Sequence, residues 1–347
     1  MKALVIGHSV YDITCGIENF PEENSKTHFT NSIESSGGCA CNMAYALGKY
    51  GVDTYLASAL GDDTFATFIR NELSKIGVHT EYMETVYEKR TNLSLILANS
   101  KNGSRTIFTI EKEPLYLKKS EFQFEPDLVL IDGYDYGASL AALNKYSNKI
   151  TIIDAGTYNS EVVQLCKYCQ YIVASKEFAE SLTGQKINYD NPQSLVYVYT
   201  AFANKFPNKQ IIITIEDRGA LYMTDGQIRV MPGLQSQVLD TTGCGDIFHA
   251  AFGYGLLKGY NLEQSITLGN IAAGLSVNKI GFINSVASLD EIMPYFNQKY
   301  PNVTMQNNVV QAQATVQVAP TYNPQANVQN QVPNNQLPPT GNPQNPA

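Results

Sequence analysis

The segment Asp240-Thr241-Thr242-Gly243-Cys244-Gly245-Asp246-Ile247-Phe248 carries the strongest chemical signal in the chain. Its Gly-x-Gly turn opens an apolar helical run, Ile247–Leu256. Bare backbone N–H groups at the positive end of a helix dipole form an anion site, and a phosphate fits it. The two glycines let the backbone come close to a ligand. A carboxylate at Asp246 would repel a phosphate that is merely bound. It makes sense as a base that takes the proton of a hydroxyl attacking phosphorus. The plainer alternative is an aspartate that starts a helix. Other phosphate and nucleophile motifs fail: there is no Gly-x4-Gly-Lys-Ser/Thr and no Gly-x-Ser-x-Gly, and Phe248 stands where a dinucleotide fingerprint needs its third glycine.

A second constellation is Gly37-Gly38-Cys39-Ala40-Cys41-Asn42, continuing to Gly48 and followed by Gly61-Asp62. Gly37 and Gly38 would let a substrate press against backbone at a helix start. Asn42 offers a donor and an acceptor to a polyol. The alternative is a glycine turn before a packed helix. Asp12 follows the first strand, where the ligands of open α/β sheets bind, and could hold a sugar hydroxyl or simply make a turn. Arg90 and Arg105 flank two strand-like stretches. They could meet a substrate phosphate or carboxylate, or be solvated charges; the scarcity of basic residues around them favours a neutral sugar. Cys39-x-Cys41 and Cys166-x-x-Cys169 lack a second ligand pair and read as packed thiols. The four histidines show no metal spacing, and His8 is the one expected nearest a substrate.

These residues need a scaffold. Ala3–Gly7, Leu128–Asp132, Ile150–Asp154, Tyr171–Ala174 and Gln210–Ile215 read as buried strands. Ala40–Tyr50 and Asp63–Ile76 read as helices, the latter stopped by Gly77. Buried strands alternating with helices imply an α/β protein with a mainly parallel central sheet flanked by helices in three layers. Thr27–Ser35 and Thr91–Ile110 break the rhythm as antiparallel strands, the second with an Asn102-Gly103 signal for a type I′ turn. They predict a small β-sheet lid, with strands within about 13–35 and 90–111.

The chain has 347 residues, 44% apolar and 16% charged, enough for a sizeable core. Its net charge of −8 argues against nucleic acid or an anionic membrane as partner. The apolar runs are too short to span a bilayer, the start lacks the pattern of a secretory signal, and six cysteines make no disulfide framework at this length, so a cytoplasmic protein is expected. No charged residue follows Lys299, and Gln, Asn and Pro make up more than half of residues 306–347. Residues 1–300 are therefore expected to form the folded domain and 301–347 a disordered tail.

The two glycine segments, in this order and separation, together with Asp12 and the lid-like hairpin, resemble the signatures of the ribokinase-like (PfkB) carbohydrate kinases from about Lys2 to Tyr295. That resemblance implies a ribokinase-like fold and ATP- and Mg²⁺-dependent phosphorylation of a hydroxymethyl group on a small, ribose- or fructose-like sugar. It implies Asp246 as base, the Gly243, Cys244 and Gly245 backbone as anion hole, and Asp12, Gly37, Gly38, Asn42 and Arg105 at the substrate. Ser175, Thr214, Glu216, Gly219, Gly245 and Asn270 fall at nucleotide positions. Asp240, Thr242, Ser276, Gly281 and Ser285 match a monovalent-cation site, taken by K⁺. The lid strands could pair between subunits into a homodimer. The usual Asn-x-x-Glu segment is Ser175-Lys176-Glu177-Phe178 here, with Glu180 close by. Glu216 stands where Gly is common, and Cys39 stands where the ribokinase form has Lys. These departures bear on sugar specificity. The alternatives are a nucleoside or sugar-acid kinase of the same fold, and a sugar-binding sensor without catalysis.

Overall fold

The computed structural model describes residues 1–29, 32–110, 113–301 and 303. The chain opens with β1 (Lys2–Ile6), β2 (Val10–Ile17), β3 (Ser32–Gly37), α1 (Cys39–Lys49), β4 (Asp53–Leu60) and α2 (Thr64–Lys75). It continues through β5 (Met83–Thr85), β6 (Leu93–Asn99), β7 (Arg105–Ile110), β8 (Leu128–Ile131), α3 (Tyr136–Lys145), β9 (Ile150–Ala155), α4 (Ser160–Cys166), β10 (Tyr171–Ser175) and α5 (Lys176–Thr183). The last third holds α6 (Pro192–Lys205), β11 (Gln210–Thr214), β12 (Ala220–Thr224), β13 (Gln227–Met231), α7 (Cys244–Leu257), α8 (Leu262–Ser276), α9 (Phe282–Ser285) and α10 (Leu289–Lys299).

Nine strands form the central sheet in the order β13-β12-β11-β10-β9-β8-β1-β4-β5, parallel except for β12 and β13 at one edge. The continuous apolar runs have a simple cause. Ala3 and Val5 of β1 face the layer holding α1, α7 and α8, while Leu4 and Ile6 face the layer holding α3 to α6. Both faces are covered, so every position must be apolar. Each large side chain buried this way contributes about 1.5–3 kcal/mol. Asp63 caps α2 by accepting from Ala66 N at 3.0 Å, and Gly77 follows its end in the left-handed region.

The lid is a second sheet in the order β3-β2-β6-β7. Two details differ from the sequence reading. Asp12, for which a turn was the plainer alternative, stands instead in lid strand β2, which starts at Val10 and joins the two expected segments by pairing antiparallel with β3 and parallel with β6. The hairpin is not a type I′ turn. Gly103 alone is left-handed (φ 70°), and a four-residue loop, 100–103, closes with Asn99 N donating to Ser104 O at 2.8 Å. Two backbone N–H groups, of Asn102 and Gly103, converge on the Asn99 carbonyl, so Asn102 keeps ordinary geometry. The expected tail, apart from 301 and 303, lies outside the described residues.

Candidate active site

The carboxyl ends of β1, β8 and β9 and the N-termini of α1 and α7 meet under the lid. Two glycines set the helix starts. Gly38 (φ 90°) caps α1, and a Cβ there would sit 2.6 Å from the His8 carbonyl oxygen. Gly243 (φ 71°) caps α7, and a Cβ there would sit 2.4 Å from the Phe282 ring. Gly245, the second residue of α7, faces open space: nothing lies within 4 Å of its Cβ position. The first turn of α7 is thus an uncovered row of N–H groups. Of the three expected anion-hole amides, that of Cys244 donates to Thr241 O at 3.3 Å and that of Gly245 leans on the Cys244 side chain, whereas that of Gly243 meets no backbone acceptor among the described residues.

Asp246 is buried at the third position of α7, and Asn42 Nδ2 donates to its Oδ2 at 2.7 Å across the two helices. Burial, reinforced by the charge of Asp154, pushes its carboxyl up to about 7, against the pull of Asn42, His249 and Cys39. Asp12, in lid strand β2, is also driven to about 7 by burial, with Asp246 adding to the rise and a hydrogen bond from Ser94 opposing it. Asp12 Oδ1, Asn42 Oδ1 and the hydroxyls of Ser9, Ser35 and Ser36 are buried without a partner among the described residues. A set of orphaned polar atoms around a cleft is costly unless a hydroxyl-rich ligand satisfies it.

Two more carboxylates, which the sequence reading passed over, complete the floor. Asp132 follows β8 and accepts backbone N–H groups of His8 (2.8 Å), Ala40 (3.1 Å) and Tyr134 (2.9 Å), which ties the glycine turn to the sheet. Its carboxyl is raised to about 6 by burial. Asp154, near the end of β9, is buried, and burial holds its carboxyl above the usual range while His249 opposes this. His249 is itself buried, with Nδ1 2.6 Å from Gly245 O and Nε2 3.3 Å from both Val173 O and Asp154 Oδ1. The available signal was position, since both aspartates stand at the carboxyl end of a parallel strand. His8 stacks on Tyr134 at 4.2 Å and lies 3.2 Å from Asn92 Nδ2.

Other expected site residues are placed differently. Arg105 does not reach Asp12 or Asn42. It donates from Nη1 to Thr241 Oγ1 at 2.7 Å, and that hydroxyl donates to Gly103 O at 3.2 Å, latching the lid hairpin to the loop before α7. Its charge also lowers the Cys244 thiol, which burial otherwise raises. Arg105→Gln removes a charge-assisted bond of about 1.5–3 kcal/mol. The expected result is a roughly tenfold or greater loss of kcat, with slower alkylation of Cys244; unchanged values of both would refute the latch. Ser175 caps α5, accepting from Phe178 N and donating to Gly156 O, each at 2.9 Å. Glu180 is turned away, onto Lys186 Nζ (2.6 Å) and Ile187 N (2.9 Å), and Phe178 is core, so neither replaces the missing Glu of the Asn-x-x-Glu segment.

Thr214 and Gly219 bracket a 3₁₀ turn in which Glu216 adopts φ 58°, the geometry that favours glycine there. Its carboxylate meets Lys176 Nζ at 3.2 Å and Tyr189 OH at 3.1 Å. Asn270 spends its amide N–H groups on Met231 O and Pro232 O, both at 3.0 Å, anchoring the end of β13. Asp240 accepts from Thr242 N (2.9 Å), Thr242 Oγ1 (2.6 Å) and Gly281 N (2.9 Å). Ser276 and Ser285 donate to Ala273 O and Phe282 O, their own helix carbonyls.

A lidded three-layer α/β cleft with an open helix N-terminus beside a buried carboxylate defines a phosphoryl-transfer class of site. The model of the pfkB family of carbohydrate kinases matches residues 1–289. The chain belongs to that family and is an ATP-using carbohydrate kinase. It is 24% identical over 302 residues to a ribokinase of Haemophilus influenzae, covering 84% of this chain and 97% of that one. Its fold matches a ribokinase of Arabidopsis thaliana complexed with ribose and ATP (TM-score 0.70, 21% identity, 85% of this chain and 98% of that one). It also matches a nucleoside kinase of Burkholderia thailandensis in complex with inosine (TM-score 0.69, 18% identity, 87% and 100%). No described helix is long and apolar enough to cross a membrane.

Proposed function

We propose that the protein transfers the γ-phosphoryl group of ATP to a hydroxymethyl group of a small neutral sugar. The observation that carries this reading is the placement of buried Asp246 in the first turn of α7, beside the open space at Gly245 and the Gly243 amide that meets no backbone acceptor among the described residues. Asp12 and Asn42 hold sugar hydroxyls with their orphaned oxygens, beside the backbone of Gly37 and Gly38. Asp246 takes the proton of the attacking hydroxyl, while the amides at the start of α7 stabilise charge on the transferring group. The lid, latched by Arg105, excludes water.

Mg²⁺ fits as a partner of the nucleotide phosphates, because that ion asks for one or two carboxylates and Asp154 offers one. When bound it neutralises charge on the β and γ phosphates. Asp240 accepts three of the about four bonds a carboxylate can take, which leaves one contact for K⁺ beside Thr242 and Gly281. The nucleotide lies toward Ser175, Thr214, Glu216, Gly219 and Asn270. Edge strand β7 leaves Ile107, Phe108 and Ile110 about half exposed, which supports a homodimer through the lid. Light scattering that finds only monomer refutes the dimer. Six free cysteines accord with a cytoplasmic setting.

The deciding experiment is ADP release from MgATP against neutral sugars, phosphosugars, sugar acids and nucleosides, with K⁺ and without. Stimulation by a neutral sugar is expected, and stimulation by another class alone overturns the substrate assignment. A second reading, a nucleoside acceptor, has one observation in its favour. Tyr116, Tyr134 and His8 form an aromatic row beside the glycine turn (ring centroids 5.6 and 4.2 Å apart), and such a surface can take a base.

A further inference from the structure

We propose that the cleft floor also binds a thiophilic divalent cation of the zinc class, held by Cys39 Sγ and by one carboxylate oxygen each of Asp154 and Asp246. These donor atoms lie within 4.8 Å of one another. They come from three elements: the first residue of α1, the end of β9 and the first turn of α7. Zinc–sulfur bonds of about 2.3 Å and zinc–oxygen bonds of about 2.0–2.2 Å draw donors somewhat closer than this. Cys39 already meets Asp246 through a side-chain hydrogen bond, so a small rotation closes the difference.

A separate observation points to a ligand in the same place. Asn42 is 5% exposed and its Nδ2 is fixed on Asp246, yet its Oδ1 is buried with no partner among the described residues. In the absence of sugar it can supply a fourth oxygen or orient a water that does, so metal and sugar compete for it. Behind the set, His249 lies 3.3 Å from Asp154 Oδ1, the kind of outer partner that orients a ligating group.

In the proposed phosphoryl transfer the thiol does no more than hydrogen-bond Asp246. Two carboxylates in a buried space oppose a thiolate next to them, and a divalent cation between them removes that opposition. Binding forms the metal–sulfur bond and releases the thiol proton to solvent; nothing is oxidised. The hard ion Mg²⁺ avoids thiolate, so the site distinguishes zinc from the nucleotide's ion. With one oxygen on a metal, Asp246 is a much weaker base toward the hydroxyl proton. The cation therefore inhibits turnover, a consequence that rests on the kinase reading.

Cobalt(II) titrated into the full chain without nucleotide reports the site directly, through a thiolate-to-cobalt band in the near ultraviolet. A band that saturates at about one cobalt per chain and is displaced by zinc is expected. Cys39→Ser should abolish the band and weaken zinc binding by about 100-fold, at the upper end of what even an outer partner's loss costs. Asp154→Asn should weaken metal binding with Cys39 intact. A band that survives in Cys39→Ser, or no band in folded wild-type protein, overturns the site. In the MgATP assay, zinc is expected to inhibit and a chelator to restore turnover. Full turnover with the band saturated overturns the inhibition. A metal-free protein that never turns over, yet gives the band, refutes the kinase reading and upholds the metal site.

Discussion

Asp246→Asn lowers kcat by about 1,000-fold while leaving the fold and the sugar KM close to wild type, as expected when a general base is removed and its shape kept. The isosteric amide keeps an oxygen for the hydrogen bond from Asn42 Nδ2 but cannot take a proton. Steady-state kinetics with the best acceptor measures it, and near-normal turnover refutes the mechanism. The pH dependence follows from the same burial. Asp246 and Asp12 are both raised to about 7, so kcat/KM should fall below pH 7 and level off above it. Because both carboxylates must be ionised, the fall should approach a slope of two protons well below pH 7, and their mutual repulsion should spread it over a wider range than two independent groups would give.

Stability moves in the opposite direction. Between about pH 4 and 7 the folded chain holds protons that the unfolded chain has already lost, so these two groups make stability decline as pH rises through that window. Asp246→Asn removes one of them. Its Tm should exceed wild type at pH 8 and match it near pH 4. An equal Tm at pH 8 would mean that the buried charge costs nothing.

The second large effect is on substrate binding. Gly37→Ala is expected to raise the acceptor KM by about 100-fold. A Cβ at Gly37 would lie 1.9 Å from Asp12 Oδ2 and 2.3 Å from its Cγ. The two residues stand on paired strands, Asp12 opposite Ser35 and Val10 opposite Gly37, so neither backbone can retreat without breaking the lid. The Asp12 carboxylate must swing away and lose its bond to the sugar, and a charged hydrogen bond of about 1.5–3 kcal/mol corresponds to a factor of about 10 to 150, the upper part being expected for a buried group. ATP hydrolysis without acceptor is the control, because the start of α7 is untouched. An unchanged acceptor KM would place the sugar elsewhere.

How much of this was legible in the chain depended on range. Asp246 and the glycines before it were readable because helix start, anion site and base lie within a few residues, where spacing alone fixes geometry. The parallel sheet was readable because strands covered on both faces must be apolar throughout, as Ala3 to Ile6 are. Asp132 and Asp154 were not picked out, although each ends a strand that was, since their meeting with Cys39, Asn42 and Asp246 depends on the order of strands in the sheet. Arg105 was assigned to the substrate because sequence shows only that it opens a lid strand. Its partner Thr241 lies 136 residues away, and the docking of the hairpin on that loop chose between them. Asn270 gave no hint in sequence that its donors anchor two carbonyls at the end of β13, which leaves its Oδ1 as the atom available to a nucleotide. By itself the sequence carried the family resemblance in its two glycine segments and the layered fold in its periodicity, and it singled out Asp246 as the candidate base. Only tertiary structure decided which distant polar groups share a buried space, because hydrogen bonding and charge act between atoms a few ångströms apart, whatever their separation along the chain.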